Sequence, residues 1–349
     1  MEIKELLEVA IDKNASDLHL IPDYHPTLRI ARELHQLNTY PIVSKTDTEN
    51  MLFSILSPEQ KDNLTANREM DIAYQLGNSR FRVNLYYTRK SLSASFRLIS
   101  SNIQTLEELN IPNFIRKYID IPQGLILLTG PTGEGKTTTL VSLINEINNK
   151  YSRHIITIED PIEYIYPKSK SVVSQRELHE DTHSWNIALK SALREDPDVI
   201  LVGEMRDFET IQLVLTAAET GHLVFSTLHS NSTPEAIDRM LDIFPPNQQN
   251  QIRNQLSTVL KLVVAQRLLP YQNKPGLIPA LEILVNTPAV GAIIREGKTY
   301  LLNNILETSE DDGFMLFEKY LLKLYQAGKI SRDTAFSYAI RPKELEKFI

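Results

Sequence analysis

The stretch Gly130-Pro131-Thr132-Gly133-Glu134-Gly135-Lys136-Thr137 decides how this chain is interpreted. It satisfies the pattern G-x-x-x-x-G-K-[ST], with an apolar run at 125–128 before it and a helical pattern at 138–144 after it. Glycine lets the backbone wrap so that successive N–H groups face an anion, and the start of a helix adds its positive dipole end. Only 12 glycines occur in 349 residues, so their clustering here has a local cause. The stretch predicts a loop that binds the phosphates of a nucleotide.

The residue types of this loop indicate which groups contact ATP. The expected contacts come from the loop and the first turn of the helix, namely Gly130, Pro131, Thr132, Gly133, Glu134, Gly135, Lys136, Thr137 and Thr138. Lys136 is expected to reach the β and γ phosphates, and the hydroxyl of Thr137 is expected to ligate Mg²⁺. A phosphate loop alone does not distinguish a kinase, a GTPase and a motor. Other strand ends must therefore supply the metal charge and a base.

Two acidic strand ends are candidates for that chemistry. Glu204 follows the apolar run 199–202, and Glu159 follows the apolar run 155–158. Because ligands bind at the carboxyl ends of strands in open α/β sheets, Glu204 is expected beside the phosphates. There it could polarise the attacking water or hold Mg²⁺ through water, while Glu159 would orient a water. The alternative for both residues is a carboxylate that is simply solvated at a strand end.

Two histidines flank a further strand. His222 precedes the run 223–225, and His229 follows it by a few residues. Histidine can donate a hydrogen bond to a phosphate oxygen, so both are candidate catalytic residues. An offset of seven residues does not put both side chains on one face of a strand, so the two need not do the same job. The alternative for each is a hydrogen-bonded histidine of the core.

The pattern around these motifs predicts the fold class of the larger part of the chain. Short apolar runs alternate with helical segments, at 125–128, 155–158, 199–202 and 223–225. Apolar on both faces and separated by helices, they indicate a parallel sheet covered on both sides. Two helical stretches are expected after them, at 247–269 and 313–328.

The first hundred residues have a different pattern. Helices are expected at 2–13 and 49–56, and short strands are expected at 16–20 and 27–30. The segments 80–86 and 93–98 alternate in polarity and predict an antiparallel hairpin. We therefore expect a small α+β domain at 1–100, a polar linker at 101–112 and a second domain at 113–349.

Composition excludes several classes of function. The chain contains no cysteine, which excludes disulfides, thiolate metal sites and a cysteine nucleophile. The formal charge of −7 offers no overall attraction to nucleic acid. No charge-free stretch reaches the ~18 apolar residues of a transmembrane helix. These features predict a cytoplasmic protein that does not bind nucleic acid.

Four segments together resemble four boxes of the type II/IV secretion ATPases. They are the phosphate loop (Walker A), the segment 157–163 (Asp box), the segment 194–207 (Walker B) and the segment 220–229 (His box). The segments 15–20, 80–84 and 294–298 are further similar to the type IV pilus retraction ATPases within that family. The resemblance covers essentially the whole chain, in order.

The resemblance implies a RecA-like P-loop ATPase domain preceded by a smaller PAS-like α+β domain, in a ring of six identical subunits. Arg82 and Arg97 occupy the hairpin whose arginines approach the nucleotide in the family, and they are expected to stabilise the charge of the transition state. The implied partners are an inner-membrane pilus platform protein and a second retraction ATPase. The implied location is the cytoplasmic, inner-membrane face of the pilus machine.

Three departures from the family pattern stand out. The segment 29–34 lacks the usual Asp-Gly turn, and Leu178-His179 replaces the usual Val-Gly. Glu134 occupies a loop position where a small serine is usual. A carboxylate there must point away from the phosphates or weaken their binding by repulsion.

Three functions are therefore weighed. The first is a motor that hydrolyses ATP to retract a type IV pilus. The second is a pilus-assembly or type II secretion ATPase, whose typical members carry a tetracysteine zinc site that this chain cannot form. The third is an accessory ring subunit that hydrolyses ATP weakly. The segment 294–298 and the absence of cysteine favour the first.

Overall fold

The computed structural model describes residues 2–30, 33–77, 79–99, 103–308 and 313–347. The chain forms two compact units. One comprises Met1–Asn102 with Glu163–Ile165, and the other comprises Ile103–Ile162 with Tyr166–Ile349. We call them the N-terminal unit and the C-terminal unit. No helix among the described residues has the length and hydropathy needed to cross a membrane.

The N-terminal unit is an α+β structure. Its helices are α1 (Ile3–Asp12), α2 (Lys45–Phe53) and α3 (Pro58–Asn67). Its strands are β1 (Asp17–Leu20), β2 (Thr27–Ile30), β3 (Glu33–Gln36), β4 (Glu69–Leu76), β5 (Ser79–Thr88) and β6 (Ser91–Ile99). They form one antiparallel sheet in the order β3-β2-β1-β6-β5-β4.

Local sequence explains several of these elements. Capping boxes start α2 at Ser44 and α3 at Ser57, because each serine accepts a backbone N–H while the third helical residue bonds back. The predicted hairpin is confirmed as β5 paired with β6. The helix expected at 49–56 begins earlier, at Lys45, because the capping serine precedes it. Of the unusual segment 29–34, residues 31 and 32 lie outside the described residues, as do 100–102 at the start of the expected linker.

The C-terminal unit contains a seven-stranded sheet. Its strands are β7 (Gly124–Thr129), β8 (His154–Glu159), β9 (Val172–Glu177), β10 (Val199–Val202), β11 (Leu223–Leu228), β12 (Leu260–Pro270) and β13 (Leu277–Val285). Their order is β13-β12-β7-β11-β10-β8-β9. All neighbours are parallel except β13, which runs antiparallel to β12. Every residue of β7, β10 and β11 is buried, as expected for a sheet that is covered on both faces.

Helices cover this sheet and extend beyond it. They are α4 (Lys136–Lys150), α5 (Trp185–Ala192), α6 (Phe208–Glu219), α7 (Thr233–Asp242), α8 (Pro246–Val259), α9 (Pro288–Glu296), α10 (Leu302–Thr308), α11 (Phe317–Gln326), α12 (Arg332–Tyr338) and α13 (Pro342–Glu346). Two 3₁₀ helices lie at Asn113–Ile119 and Thr299–Leu301.

The prediction of a helix at 247–269 is wrong for the second half of that range. The helix α8 ends at Val259, and the next residues form β12, which lies between β7 and β13. A run of apolar residues that is buried on both faces has no periodicity to separate strand from helix. These residues form a strand because they lie inside the sheet, between β7 and β13. The helix expected at 313–328 is shorter in the structure, where α11 spans Phe317–Gln326.

Candidate functional site

The phosphate loop connects β7 to α4, as its sequence predicts. Its backbone adopts three conformations with positive φ, of +147° at Gly130, +83° at Gly133 and +74° at Gly135. A Cβ added to Gly130 would lie 2.3 Å from the backbone oxygen of Gln266 on β12, whereas one added to Gly133 would meet no atom within 4 Å. Glycine is therefore required at Gly130 both by conformation and by the close approach of the neighbouring strand.

Lys136 opens α4 and is buried inside this loop. Its Nζ donates hydrogen bonds to the backbone oxygens of Gly130 at 2.6 Å and Pro131 at 2.8 Å. It also lies 3.4 Å from Nδ1 of His229. The lysine thus supplies a positive charge at the start of α4, beside Thr137 and Thr138 of the first helical turn. Backbone N–H groups and the helix dipole act there in the same direction.

Glu134 turns its side chain toward the sheet. Its carboxylate accepts the backbone N–H of Leu268, and its backbone oxygen accepts a hydrogen bond from Nε2 of Gln266 at 2.7 Å. Gln266 also accepts a hydrogen bond from the hydroxyl of Thr139, at 2.9 Å. Of the two outcomes that the sequence left open for Glu134, the structure has the first, a carboxylate held by β12. The loop is thereby bonded to the neighbouring strand.

The two acidic strand ends differ in their surroundings. Glu159 ends β8 and is buried, and it accepts hydrogen bonds from Thr157 Oγ1 at 2.6 Å and Gln175 Nε2 at 3.2 Å. Glu204 lies two residues beyond β10, with a side chain that is 14% exposed. One of its oxygens pairs with Arg206, and the other lies 3.4 Å from Nε2 of His229. Glu204 therefore faces the loop region, while Glu159 is fixed within the sheet edge.

The register of the sheet separates the two histidines. Leu228 of β11 pairs with Thr129 of β7, so His229 comes next to the start of the phosphate loop. At the other end of the strand, Leu223 pairs with Gly124, so His222 lies at the opposite edge of the sheet. The six residues of β11 between the two histidines span about 20 Å. Nδ1 of His222 lies 2.9 Å from the backbone oxygen of Ala217, so within its own unit this histidine contacts α6 and not the loop.

Electrostatics favour neutral imidazole at His229. Partial burial lowers the pKa of His229, and the nearby Lys136 lowers it further, while the carboxylate of Glu204 acts in the opposite direction without outweighing them. The net pKa lies below the usual value. The ring thus bridges a cation and a carboxylate in the form that can donate one hydrogen bond and accept another.

A cavity of about 590 Å³ lies at the carboxyl edge of the sheet, beside the phosphate loop. Its lining includes Pro131 and Thr132 of the loop, Glu204, and His229. Its lining also includes Arg206, Asn231 and Arg239, which the sequence motifs did not single out. Arg206 lies two residues after Glu204, within the segment 194–207, which could have marked it, whereas Asn231 and Arg239 lie in no motif.

A second cavity, of about 370 Å³, borders the other side of α4's first turn. Gly135, Thr138 and Thr139 contribute to it, together with Gln266, Leu268 and Tyr271 from β12 and the residues after it. It combines apolar walls with polar groups, as small-molecule sites do. Sequence reasoning missed it because no motif marks the β12 residues.

Arg82 and Arg97 lie in the N-terminal unit and pair directly across β5 and β6. Arg82 lies 3.6 Å from the carboxylate of Asp71, and Nε of Arg97 donates to Asp17 at 3.0 Å. Both side chains are exposed. The two guanidinium groups are thus neighbours on one face of the strand pair, each with a carboxylate within ion-pair distance.

The oxygen groups near the loop suit Mg²⁺ better than a metal held by protein alone. Among the residues that the structure describes, no group of three or more His, Cys, Asp or Glu side chains could hold a metal ion. Mg²⁺ retains waters and binds through one or two protein oxygens plus substrate phosphates. Thr137 and Glu204 provide such oxygens at this edge of the sheet. The residues present therefore fit a nucleotide-bound magnesium ion.

Comparison with known proteins supports the same interpretation. The profile of the family described as "Type II/IV secretion system protein" matches residues 1–310. The chain is 41% identical over 344 residues to the type IV pilus retraction ATPase PilT of Pseudomonas aeruginosa, covering 98% of this chain and 99% of the relative. It is 44% identical over 311 residues to the twitching motility protein of Neisseria gonorrhoeae, covering 89% of this chain and 83% of the relative.

A solved structure agrees along the whole length. The crystal structure of the pilus retraction motor PilT with bound ADP superimposes with a TM-score of 0.94, at 42% identity, and covers 99% of both chains. The RecA-like P-loop ATPase fold with a preceding α+β domain, expected from the sequence, is confirmed by this match. The chain belongs to the type II/IV secretion ATPase family.

Proposed function

We propose that this protein is a motor that hydrolyses ATP to drive type IV pilus retraction. The observation that carries the proposal is a cavity beside the phosphate loop that Glu204 and His229 both line, with Lys136 lying 3.4 Å from His229. A cation, a carboxylate and a neutral imidazole at a phosphate-binding edge are what hydrolysis of a phosphoanhydride requires. Similarity to a retraction ATPase along both full lengths supports the mechanical role.

In this proposal the loop holds the phosphates. The residues from Gly130 to Thr138 bind ATP, mainly through backbone N–H groups, and Lys136 contacts the β and γ phosphates. The hydroxyl of Thr137 and the carboxylate of Glu204 hold Mg²⁺, which supplies charge neutralisation when it is bound. The cavity between α4 and β12 receives the nucleoside. Its position beyond the first turn of α4 supports this assignment.

Hydrolysis then depends on a small set of side chains. Glu204 orients the attacking water, and His229 donates a hydrogen bond at the γ-phosphate end of the cavity. Glu159, fixed by Thr157 and Gln175, orients a second water. The products are ADP and phosphate.

The three remaining catalytic assignments stay predictions. The arginines Arg82 and Arg97 are proposed to approach the nucleotide and stabilise the charge of the transition state, as the family resemblance implies. His222 is proposed as a further catalytic residue, although its place at the far edge of the sheet gives it no contact with the loop of its own unit. We propose domain boundaries of 1–100, 101–112 and 113–349.

The proposed assembly is a ring of six identical subunits on the cytoplasmic face of the inner membrane. Its partners are the pilus platform protein and a second retraction ATPase. The chain has no cysteine, so a tetracysteine zinc site is impossible, and the formal charge of −7 gives nucleic acid no general attraction. The first feature favours retraction over a pilus-assembly or type II secretion ATPase. The second gives no support to a translocase that acts on DNA.

A weakly hydrolysing accessory subunit is the remaining alternative. Its one supporting feature was the acidic Glu134 in the loop. Since that carboxylate accepts the N–H of Leu268 on β12, its charge is directed toward the sheet and away from the phosphate side. This geometry favours a competent ATPase.

Phosphate release and nucleotide binding by the purified protein test the proposal together. Lys136→Ala should abolish nucleotide binding, whereas Glu204→Gln should keep ADP binding and lose turnover. Glu219→Gln is the matched control, because this glutamate is exposed at the end of α6 and bonds only to Gln255 among the contacts described. A wild-type rate no faster than that of Glu204→Gln would refute the enzyme assignment.

Deletion of the gene in its host separates the two pilus functions. Accumulated pili that do not retract are expected for a retraction motor. Absent pili would show an assembly ATPase instead.

A further inference from the structure

A buried carboxylate interrupts the apolar strand β13. Glu282 has no exposed surface, and its neighbours on the same face of the strand are Ala280 and Leu284, both buried. A carboxylate that has been removed from water is stable only with charged or hydrogen-bonding partners on both oxygens. Its partners show what this side chain holds together.

One oxygen of Glu282 binds the end of the chain. The guanidinium of Arg341 donates from NH1 to Glu282 at 3.0 Å and to Glu318 at 3.2 Å, and from NH2 to Asn303 at 2.7 Å. The backbone N–H of Arg341 also donates to Glu318, at 2.7 Å. This arginine precedes α13, so the cluster fixes the C-terminal helices α12 and α13 to β13 and α11.

The other oxygen of Glu282 binds the segment that carries the cavity histidine. It accepts both the N–H of Thr233, at 2.8 Å, and the hydroxyl of the same residue, at 2.9 Å. We call residues 229–233 the histidine segment. Its other end is held at Ser230, whose N–H donates to Thr129 Oγ1 at 2.9 Å. The segment is therefore anchored at one end to β7 and at the other to the Glu282 cluster.

A second connection joins the same two parts of the unit. Arg267 of β12 donates to the backbone oxygen of Tyr338, at the end of α12, at 3.2 Å. Its other terminal nitrogen donates to Asn231 in the histidine segment at 3.3 Å. Arg267 and Glu282 point to the same side of the sheet, since Arg267 pairs with Ala280 and Glu282 pairs with Ala265. Two independent contacts thus link the C-terminal helices to the histidine segment.

We propose that Glu282 and Arg341 are positioning residues for nucleotide hydrolysis, which hold the histidine segment so that His229 faces Glu204 and Lys136. The inference rests on the proposed ATPase function. The carboxylate of Glu282 sets the position of Thr233, and the guanidinium of Arg341 holds that carboxylate in its orientation. The C-terminal helices thereby determine the geometry of the γ-phosphate end of the cavity without touching the substrate.

Hydrogen–deuterium exchange of the full chain tests the positioning step without requiring turnover. The test variant is Arg341→Lys, because a single ammonium group cannot bridge two carboxylates and Asn303 as the planar guanidinium does. Amides of the histidine segment should exchange about fivefold faster or more than in the wild type, while those of residues 130–136 stay unchanged. The control is Lys347→Ala, which breaks an exposed ion pair with Glu344 at the end of α13.

Glu282→Gln is the second variant, in case Arg341→Lys loosens the whole unit. Glutamine has one acceptor oxygen where the carboxylate uses two, so Thr233 or Arg341 must lose its bond, while Glu318 still neutralises Arg341. The same local increase in exchange is expected. Unchanged exchange in the histidine segment of both variants would overturn the inference, as would an increase that spreads evenly over the unit.

Steady-state hydrolysis separates positioning from folding. Both variants should lower kcat by about tenfold, with the KM for ATP and the affinity for ADP within about twofold of the wild type. A parallel loss of kcat and ADP affinity would show a purely structural role. Wild-type hydrolysis no faster than that of Lys136→Ala would refute the ATPase function, and the exchange measurement would still decide the positioning step.

Discussion

Replacing Gly130 by alanine should weaken nucleotide binding far more than the same change at Gly133. Both glycines have positive φ, at +147° and +83°, so an alanine is strained at either position. Only Gly130 faces a neighbour, since its added Cβ would lie 2.3 Å from the backbone oxygen of Gln266. Gly133 has no atom within 4 Å of that point. The pair of variants therefore isolates the contact with β12.

The magnitude follows from that contact. A Cβ cannot remain 2.3 Å from an oxygen, so the loop or the strand must move. The strand β12 is fixed between β7 and β13, which leaves the loop to move. Overpacking of this kind costs about 1–3 kcal/mol. Because ADP can bind only when the displaced loop returns to its place at that cost, Gly130→Ala should bind ADP about 5- to 150-fold more weakly than Gly133→Ala.

Fluorescence anisotropy with a labelled ADP measures the two affinities, and thermal unfolding without nucleotide controls for stability. Because a displaced loop relieves the clash, the two variants should unfold at similar temperatures while their affinities differ. Equal ADP affinities would refute the reasoning, since they would show that β12 does not confine the loop. A large loss of stability in Gly130→Ala alone would show that the strand and not the loop had moved.

Three further predictions concern the loop, the histidine and the exposed end of α9. Glu134→Gln keeps an acceptor for the N–H of Leu268 and removes a charge that is directed toward β12, so ATP should bind at most about twofold tighter at low salt; weaker binding would contradict this. NMR titration of His229 should give a pKa below the usual value in the wild type and a higher one in Lys136→Ala, because the lysine lowers it; an unmoved midpoint would exclude their coupling. Glu296→Ala removes a side chain that is 58% exposed, so it should leave hydrolysis unchanged while abolishing twitching movement in motility assays on agar. Persisting motility would show that this residue is not part of the mechanical output.

The parts of the site that could be predicted are those with a local cause. The phosphate loop needs glycine at fixed spacing, and β7, β8, β10 and β11 are apolar runs that stop at polar residues. Parallel strands place their carboxyl ends at one edge, so Glu204 could be assigned to the neighbourhood of the loop before any coordinates. The sequence offered both histidines as candidates, and the register of β11 puts His229 at that edge and His222 at the other.

The parts that could not be predicted depend on contacts far apart in the sequence. The orientation of Glu134 is set by Leu268 on another strand, and Gln266 has no motif to mark it. The run that forms β12 has the composition of a buried helix as much as that of a buried strand, so only its place in the sheet decides. No motif marks Glu282, and its partners Thr233 and Arg341 lie far from it in the sequence.

The alternation of side chains along β12 limits how the length of this strand can change. Its alternate residues serve opposite layers: Gln266 and Leu268 face the phosphate loop, while Arg267 between them reaches the C-terminal helices. Deleting one residue from the strand would exchange these two sets, sending a cation toward the nucleotide and an amide toward α12. A change of one residue within the strand should therefore disrupt both layers, whereas a change of two residues keeps the alternation.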